Sequence, residues 1–270
     1  MKHLALIPRH LATAQFDRNN PLMCGRYSLE RDYRKLVTRV GAVMARAQMQ
    51  AARYNIAPTQ LAPVFYRENG QTAMKLMRWG LIPSWAKDAS VGNANVNARS
   101  ETLASRNAFR EPFQRRRCLI PADGFYEWQE REGKRQPFRI TLKSGEPFCF
   151  AGLWDRWLPP PAQTGDGASA TPDEPVDSFT IITRAANVAI APLHDRMPVI
   201  IASEHYHDWL GSDDPSHGSP QHSLDQPLNE PLRIYPVSPL MNSPKVDDVR
   251  CIAPVPLERD MFERQWWEDG

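Results

Sequence analysis

Four residues of the 270-residue chain have side chains suited to work on a carbonyl group, and they lie far apart: Cys24, Asn97, Glu127 and His194. Cys24 follows Met23 and leads into Gly25-Arg26-Tyr27. If translation starts at Met23 and the methionine is removed, one residue carries both an α-amine and a thiol. The amine, with an ordinary pKa of about 7.7–8.0, is partly unprotonated at neutral pH and attacks aldehydes to form an imine. The adjacent thiol then closes on the imine carbon and gives a five-membered thiazolidine. Against this stands the commoner fate of a lone cysteine, which is to fill a core as a small hydrophobe.

The other three residues sit in short motifs. Gly124-Phe125-Tyr126-Glu127-Trp128 puts a carboxyl group among aromatic rings, where desolvation raises its pKa towards general-acid use. His194-Asp195-Arg196-Met197-Pro198 puts an imidazole and a guanidinium at the start of an apolar run. Asn97-Ala98-Arg99-Ser100-Glu101-Thr102 opens a helix, and its asparagine both donates and accepts hydrogen bonds without adding charge. Taken singly, each has an ordinary structural role: an Asn caps a turn, a Glu pairs with an Arg, a His caps a helix.

Elements must bring these residues together. Leu29, Tyr33, Leu36, Val40, Val43 and Ala47 recur every three or four positions, which predicts an amphipathic helix over Leu29–Gln50, interrupted only by Gly41. Strand-like runs follow at Pro63–Arg67, Thr72–Trp79, Phe138–Leu142, Phe148–Trp154, Phe179–Thr183 and Pro198–Ala202. Short helices fit at Glu101–Phe109, at Ala185–Ala191, and at Glu204–Leu210 with Ser203 as N-cap. Strands and helices do not alternate as βαβ units, which excludes a doubly wound sheet. The expected fold is α+β: a single β-rich domain with a curved, partly barrel-like mixed sheet flanked by short helices. Leu158–Asp177 and Pro215–Pro231 read as polar loops. Residues 1–22 read as an N-terminal extension, disordered or included through a misassigned start, and residues 23–270 as the domain.

Composition narrows the classes. With 41% hydrophobic and 24% charged residues, disordered, collagen-like and coiled-coil architectures are excluded. No apolar run approaches the ~18 residues of a membrane helix. The 25 prolines against 14 glycines favour extended segments and stiff loops over a helix bundle. Cys24, Cys118, Cys149 and Cys251 form no CxxC pair, which argues against a zinc ribbon or a disulfide framework and for a reducing compartment. No metal or cofactor is expected, and the expected location is cytoplasmic, at the nucleoid in a bacterial cell. The net charge of +2 is uneven: residues 211–270 hold five basic and eleven acidic residues, while residues 24–210 carry +6. A basic body is compatible with a nucleic-acid groove, as it is with scattered solvated charge.

The series MCGRY, YNIAPTQ, RWGLIPSWAKD, NARSET, RRRCLIPADGFYEW, FAGLWDRW, FTIITRAAN and LHDRMPVII, in this order, resembles the SOS response-associated peptidase family, also known as the abasic-site-processing family. The resemblance runs from Met23 to about Val255, with PVSPLMNSPKVDD in its C-terminal part. It implies covalent crosslinking to abasic sites in single-stranded DNA through Cys24. Asn97 would contact the captured residue, Glu127 would act in ring opening and proton transfer, and His194 would be the active-site histidine. It also implies that Arg26, Arg99 and Arg196 hold phosphates, in a curved β domain with a positively charged channel. Arg99, Arg106, Arg110, Arg115, Arg116 and Arg117, offset by Glu101 and Glu111, form a local +4 strip suited to sequence-independent phosphate contacts. Trp79 and Trp85 are equally suited to stacking on bases and to filling the core.

Two features depart from the family pattern. Residues 1–23 leave Cys24 with an amide nitrogen, which forms no imine, so the reading requires a start at Met23 or cleavage before Cys24. Ala86 follows Trp85 where some relatives have another aromatic residue, which weakens base stacking there. A cysteine peptidase acting on its own N-terminus or on other peptides is the second function class, and a single-strand-binding module with an incidental cysteine is the third.

Overall fold

Five of the six runs with strand-like patterning lie within single strands, because each places apolar side chains on a buried face, and the sixth, Pro198–Ala202, is divided between the end of one short strand and a second two-residue strand. The computed structural model of the chain describes residues 24–31, 33–42, 51–131, 133–160, 174–211 and 219–256. In chain order the strands are β1 (Tyr27–Leu29), β2 (Arg53–Ile56), β3 (Leu61–Glu68), β4 (Gln71–Trp79), β5 (Asn97–Arg99), β6 (Arg117–Ala122), β7 (Gly124–Arg131), β8 (Lys134–Leu142), β9 (Phe148–Trp157), β10 (Val176–Ala185), β11 (Arg196–Pro198), β12 (Ile200–Ile201) and β13 (Leu232–Pro236). The short helices are α1 (Arg34–Arg39), α2 (Asn107–Arg115), α3 (Tyr206–Leu210) and α4 (Pro220–Asp225).

One sheet runs β13-β8-β7-β1-β2. The other runs β11-β10-β4-β3-β6-β9-β12, with β10 also pairing β9 and β5. Since β10 meets both β4 and β9, this second sheet curls into a ring-like arrangement that is not a barrel. The whole is an α+β domain rich in sheet, of mixed strand direction, with few and short helices. Tyr27 of β1 and Phe125 of β7 pack edge-on against Phe150 of β9, so one hydrophobic core joins the two sheets. β10 is buried along most of its length and has parallel as well as antiparallel partners, which its dense Phe-Thr-Ile-Ile-Thr run suits.

The helices differ from their predicted positions. α1 covers only Arg34–Arg39, and the chain before it is strand β1. The Asp123 carboxylate accepts the backbone N–H groups of Glu30 and Arg31 and turns the chain there. Gly41, at φ +62°, ends α1: its N–H bonds Thr38 O and that of Ala42 bonds Val37 O, a Schellman closure. Positions 43–50 of the predicted helix lie outside the described residues, as do residues 1–22, most of the Leu158–Asp177 loop and part of Pro215–Pro231. Glu101–Phe109 is a 3-10 turn (Ser100–Thr102) followed by the later-starting α2. Ala185–Ala191 ends β10 and continues as turns around Asn187, not as a helix. Ser203 opens a 3-10 turn before α3 and makes no cap hydrogen bond.

A buried polar centre fixes β1 on β7. Ser28 Oγ donates to Asp123 Oδ1 (2.6 Å), and Arg139 from β8 reaches the same oxygen (2.8 Å) with both side chains almost fully buried. Gly124 admits the guanidinium: a Cβ there would stand 2.8 Å from Arg139 Nε. Removing the carboxylate strands a buried cation, so Asp123→Ala should lower stability by about 3–5 kcal/mol in urea unfolding. A loss under about 1 kcal/mol, the range of an exposed ion pair, would show that solvent reaches this centre.

Candidate active site

Cys24 and Glu127, 103 positions apart, meet because β1 and β7 are antiparallel neighbours with Tyr27 opposite Phe125. Continued back towards Cys24, that register brings the chain alongside Glu127. Cys24 has φ +39°, a left-handed turn that few non-glycine residues adopt. Its backbone nitrogen donates to Glu127 Oε1 at 2.8 Å. Both residues are buried. Burial pushes the Glu127 carboxyl up to about 8, against the bond from Cys24 and the charge of Arg135, and the Asp195 charge adds to the rise. Burial, and then the Glu127 charge, push the Cys24 thiol well above its ordinary range. A neutral carboxylic acid therefore faces the Cys24 nitrogen at pH 7.

The remaining two residues flank β10. On one side β5 runs parallel to it, with Asn97 opposite Ile181 and Arg99 opposite Thr183. On the other side β11 runs antiparallel, with Arg196 opposite Ala185. His194 precedes β11, and the Arg196 backbone N–H donates to its Nδ1 (3.0 Å). That bond puts the proton of the neutral ring on Nε2. Asp195 Oδ1 lies 2.9 Å from the same Nδ1 and favours the alternative arrangement, with the proton there. Burial, assisted by Arg196, holds the His194 pKa below its ordinary value, so the ring is neutral at pH 7. The influence of Asp195 on Glu127 places the two clusters within electrostatic reach.

Trp79 is not a base-stacking surface. It is fully buried, lies parallel to Phe179 with ring centroids 6.2 Å apart, and meets Tyr27 edge-on at 5.2 Å. Its Nε1–H donates to Val96 O (2.9 Å), so it spans from β1 to the residue preceding Asn97. Trp85, by contrast, is 62% exposed. It borders a cleft of about 610 Å³ together with Asn107, Arg110, Arg116 and Asp155.

The arginines divide in the same way. Arg99 is exposed, as are Arg106, Arg110 and Arg115. Arg117 instead donates to Phe113 O, Gln114 O and Trp209 O, and Arg116 pairs with Glu111 and Asp155. The expected strip of six is therefore four outward-facing guanidinium groups, two having turned inward onto carbonyl and carboxylate acceptors. Arg26 donates to Asn55 Oδ1 and to the carbonyls of Met241 and Asn242, so the structure makes it a strut to the C-terminal segment rather than a free phosphate ligand. Asn55, whose Nδ2 donates to the carbonyls of Met241, Ser243 and Val246, anchors the same segment. Its motif, YNIAPTQ, was visible in the sequence but pointed to no role. The Arg196 fork is also occupied, by Glu101 Oε1 (2.6 Å) and Oε2 (2.8 Å). Glu101 had counted only as an offsetting charge; its bonds to Arg196 hold its carboxyl down at about 2. Among the described residues no group of three or more His, Cys, Asp or Glu side chains could hold a metal ion, and no helix is long and apolar enough to cross a membrane.

Two expectations follow from burial. Glu127 is protonated in the folded 270-residue chain from its unfolded pKa of about 4.3 up to about 8, so folding takes up a proton across that window. Wild-type stability should fall as pH rises from 5 to 8, and Glu127→Gln should lack that contribution, the gap widening with pH in thermal melts. Equal slopes would mean that the carboxyl is solvated. The tryptophans should separate cleanly: Trp79→Ala should cost about 3–5 kcal/mol of stability. Trp85→Ala should leave the melting temperature unchanged. A reversed pattern would contradict the assigned burial.

Comparison with known proteins shows which family the chain belongs to. Residues 23–244 match the family model described as SOS response associated peptidase (SRAP). The chain is 38% identical over 229 residues to the abasic site processing protein YoaM of Bacillus subtilis, covering 83% of this chain and 94% of that protein. It is 29% identical over 236 residues to the abasic site processing protein HMCES of Gallus gallus, covering 76% of this chain and 66% of that protein. A crystal structure from Bacteroides thetaiotaomicron shares the fold, with TM-score 0.71 and 24% identity over 86% of this chain and all of that one. The chain belongs to the SOS response associated peptidase family.

Proposed function

We propose that this protein acts in DNA repair by capturing abasic sites in single-stranded DNA as a thiazolidine on Cys24. The observation that carries this reading is the 2.8 Å hydrogen bond between the Cys24 nitrogen and a buried, proton-bearing Glu127, in a family whose relatives are named for abasic site processing. The reacting form begins at Cys24, because only a free amine forms an imine; residues 1–23 are either never made or cleaved off.

The steps balance. An abasic deoxyribose is mainly a closed hemiacetal; as its C1′–O4′ bond breaks, the proton of the C1′ hydroxyl passes through solvent to O4′, and the Nε2–H of neutral His194 donates a hydrogen bond to O4′ as charge develops there. The Cys24 amine adds to the exposed aldehyde to give a carbinolamine. Glu127 passes its proton to the departing hydroxyl, which leaves as water, and an iminium remains beside the new carboxylate. Sγ attacks the iminium carbon while Glu127 takes the thiol proton, which closes the ring and regenerates the acid. The high thiol pKa suits this order, since the thiol gives up its proton only when a carboxylate is formed next to it. Asn97 is the neutral partner for the captured sugar. Exposed Arg99, with its neighbours on α2, supplies phosphate contacts, and such a substrate places the protein in the compartment that holds the genome.

A self-peptidase activity is supported by the same hydrogen bond. The nitrogen bonded to Glu127 is the leaving group of the 23–24 peptide, and an acid 2.8 Å away is placed to protonate it.

A chain beginning at Cys24, mixed with a single-stranded oligonucleotide bearing one abasic site, should give a band shift that survives denaturation; Cys24→Ala should give none. The rate should fall at high pH as Glu127 loses its proton, and Glu127→Gln should be slow and lack that limb. The uncleaved 270-residue chain should form no thiazolidine, and mass spectrometry should detect a species starting at Cys24 if it cuts itself. An adduct formed by the intact chain, or by Cys24→Ala, would overturn the mechanism.

A further inference from the structure

The Arg196–Glu101 pair does more than neutralise two charges. Glu101 follows β5 and Arg196 opens β11, so the pair bridges the two strands that flank β10. Arg196 also donates from Nη2 to Thr183 O (2.8 Å) on β10 itself, and its side chain is only 12% exposed. Three strands are thus joined through one guanidinium, and the backbone N–H of that same residue holds His194 Nδ1.

Two groups compete for His194 Nδ1. The Arg196 N–H needs its lone pair; the Asp195 carboxylate, 2.9 Å away on a side chain 86% exposed, needs a proton there. The first arrangement leaves Nε2 as the donor and the second makes it an acceptor. Which one prevails depends on how firmly the Arg196 backbone is held. Glu101 accepts from both terminal nitrogens of the fork, whereas Thr183 O accepts from one. Without Glu101, Nη1 loses its acceptor in a mostly covered site and the fork is left with Thr183 O alone.

We propose that Glu101 is a positioning residue of the abasic-site reaction: through its two-point grip on Arg196 it holds His194 with Nδ1 as acceptor and Nε2–H as donor. This rests on the proposed function for the meaning of the Nε2 proton, but not for the clamp itself. Opening a sugar ring needs a donor at O4′, and a ring held in the other tautomer offers a lone pair instead.

Glu101→Gln tests it. The amide keeps the shape of the side chain but sets an N–H₂ against one arm of the guanidinium. In the DNA-free protein, ¹⁵N chemical shifts of His194 should report the Nε2–H form in wild type and a shift towards Nδ1–H in the variant. Crosslinking by the form beginning at Cys24 should slow by about tenfold, while affinity for an undamaged single-stranded oligonucleotide should not fall, because the variant removes a negative charge and frees a guanidinium. An unchanged tautomer spectrum overturns the proposal whatever the DNA does. So does faster crosslinking, which would make Glu101 a rival of phosphate for Arg196, and so does a joint loss of rate, affinity and melting temperature. Should wild type form no adduct while the tautomer still responds to Glu101→Gln, the functional reading fails and the clamp stands.

Discussion

A carboxylic acid buried against the nitrogen of Cys24 is the constraint around which this molecule is arranged. Desolvation keeps Glu127 protonated at neutral pH, and it does so only while β1 and β7 stay paired and closed to water. The Asp123–Arg139–Ser28 centre meets that need. It ties the two strands and β8 together with charge-assisted bonds among buried side chains. The acidity of one residue is thus set by the packing of three strands.

The second half of the site hangs on β10. Its two edges present β5 and β11 at nearly the same level, which brings Asn97 and Arg99 to one flank and His194 and Arg196 to the other. Trp79 links this assembly to β1, touching Tyr27 with its ring and Val96 O with its indole N–H. A buried tryptophan with its N–H satisfied is a rigid spacer, and here it separates residues 27 and 96 by a fixed distance. The apolar core and the candidate site are therefore one construction, in which a change of spacer volume shifts Asn97 relative to β1.

Basic residues show how a chain with a net charge of only +2 presents a directional surface. Arg26, Arg116, Arg117, Arg139 and Arg196 are committed to carbonyls and carboxylates inside the fold. What remains outward is Arg99 on β5, Arg106 just before α2, and Arg110 and Arg115 on α2, with exposed Trp85 at the rim of the adjoining cleft. Planar guanidinium forks serve both purposes: bidentate anchors where an acceptor is built in, and phosphate contacts where none is.

Strand positions were legible in the amino-acid order wherever one face is buried along a whole run, as in β3, β4 and β10, because alternation or density of apolar residues follows from that burial. Residue type made Cys24, Asn97, Glu127 and His194 candidates, but each alone had an ordinary structural reading, and only the family resemblance of the motifs in their order joined them into one candidate site. Short elements escaped: β1 has three residues, of which only Leu29 fell in the predicted helix, and the start of that helix is replaced by a turn that Asp123 holds, its carboxylate coming from more than ninety positions away. Whether an arginine or a tryptophan faces solvent was equally undetermined, as Trp79 and Trp85 lie six residues apart in similar company yet one is sealed and the other open. Residue type states which bonds a side chain is able to make. Only the tertiary structure decides which partners arrive within reach, because Glu101 meets Arg196 and Cys24 meets Glu127 solely through the pairing of strands distant in sequence.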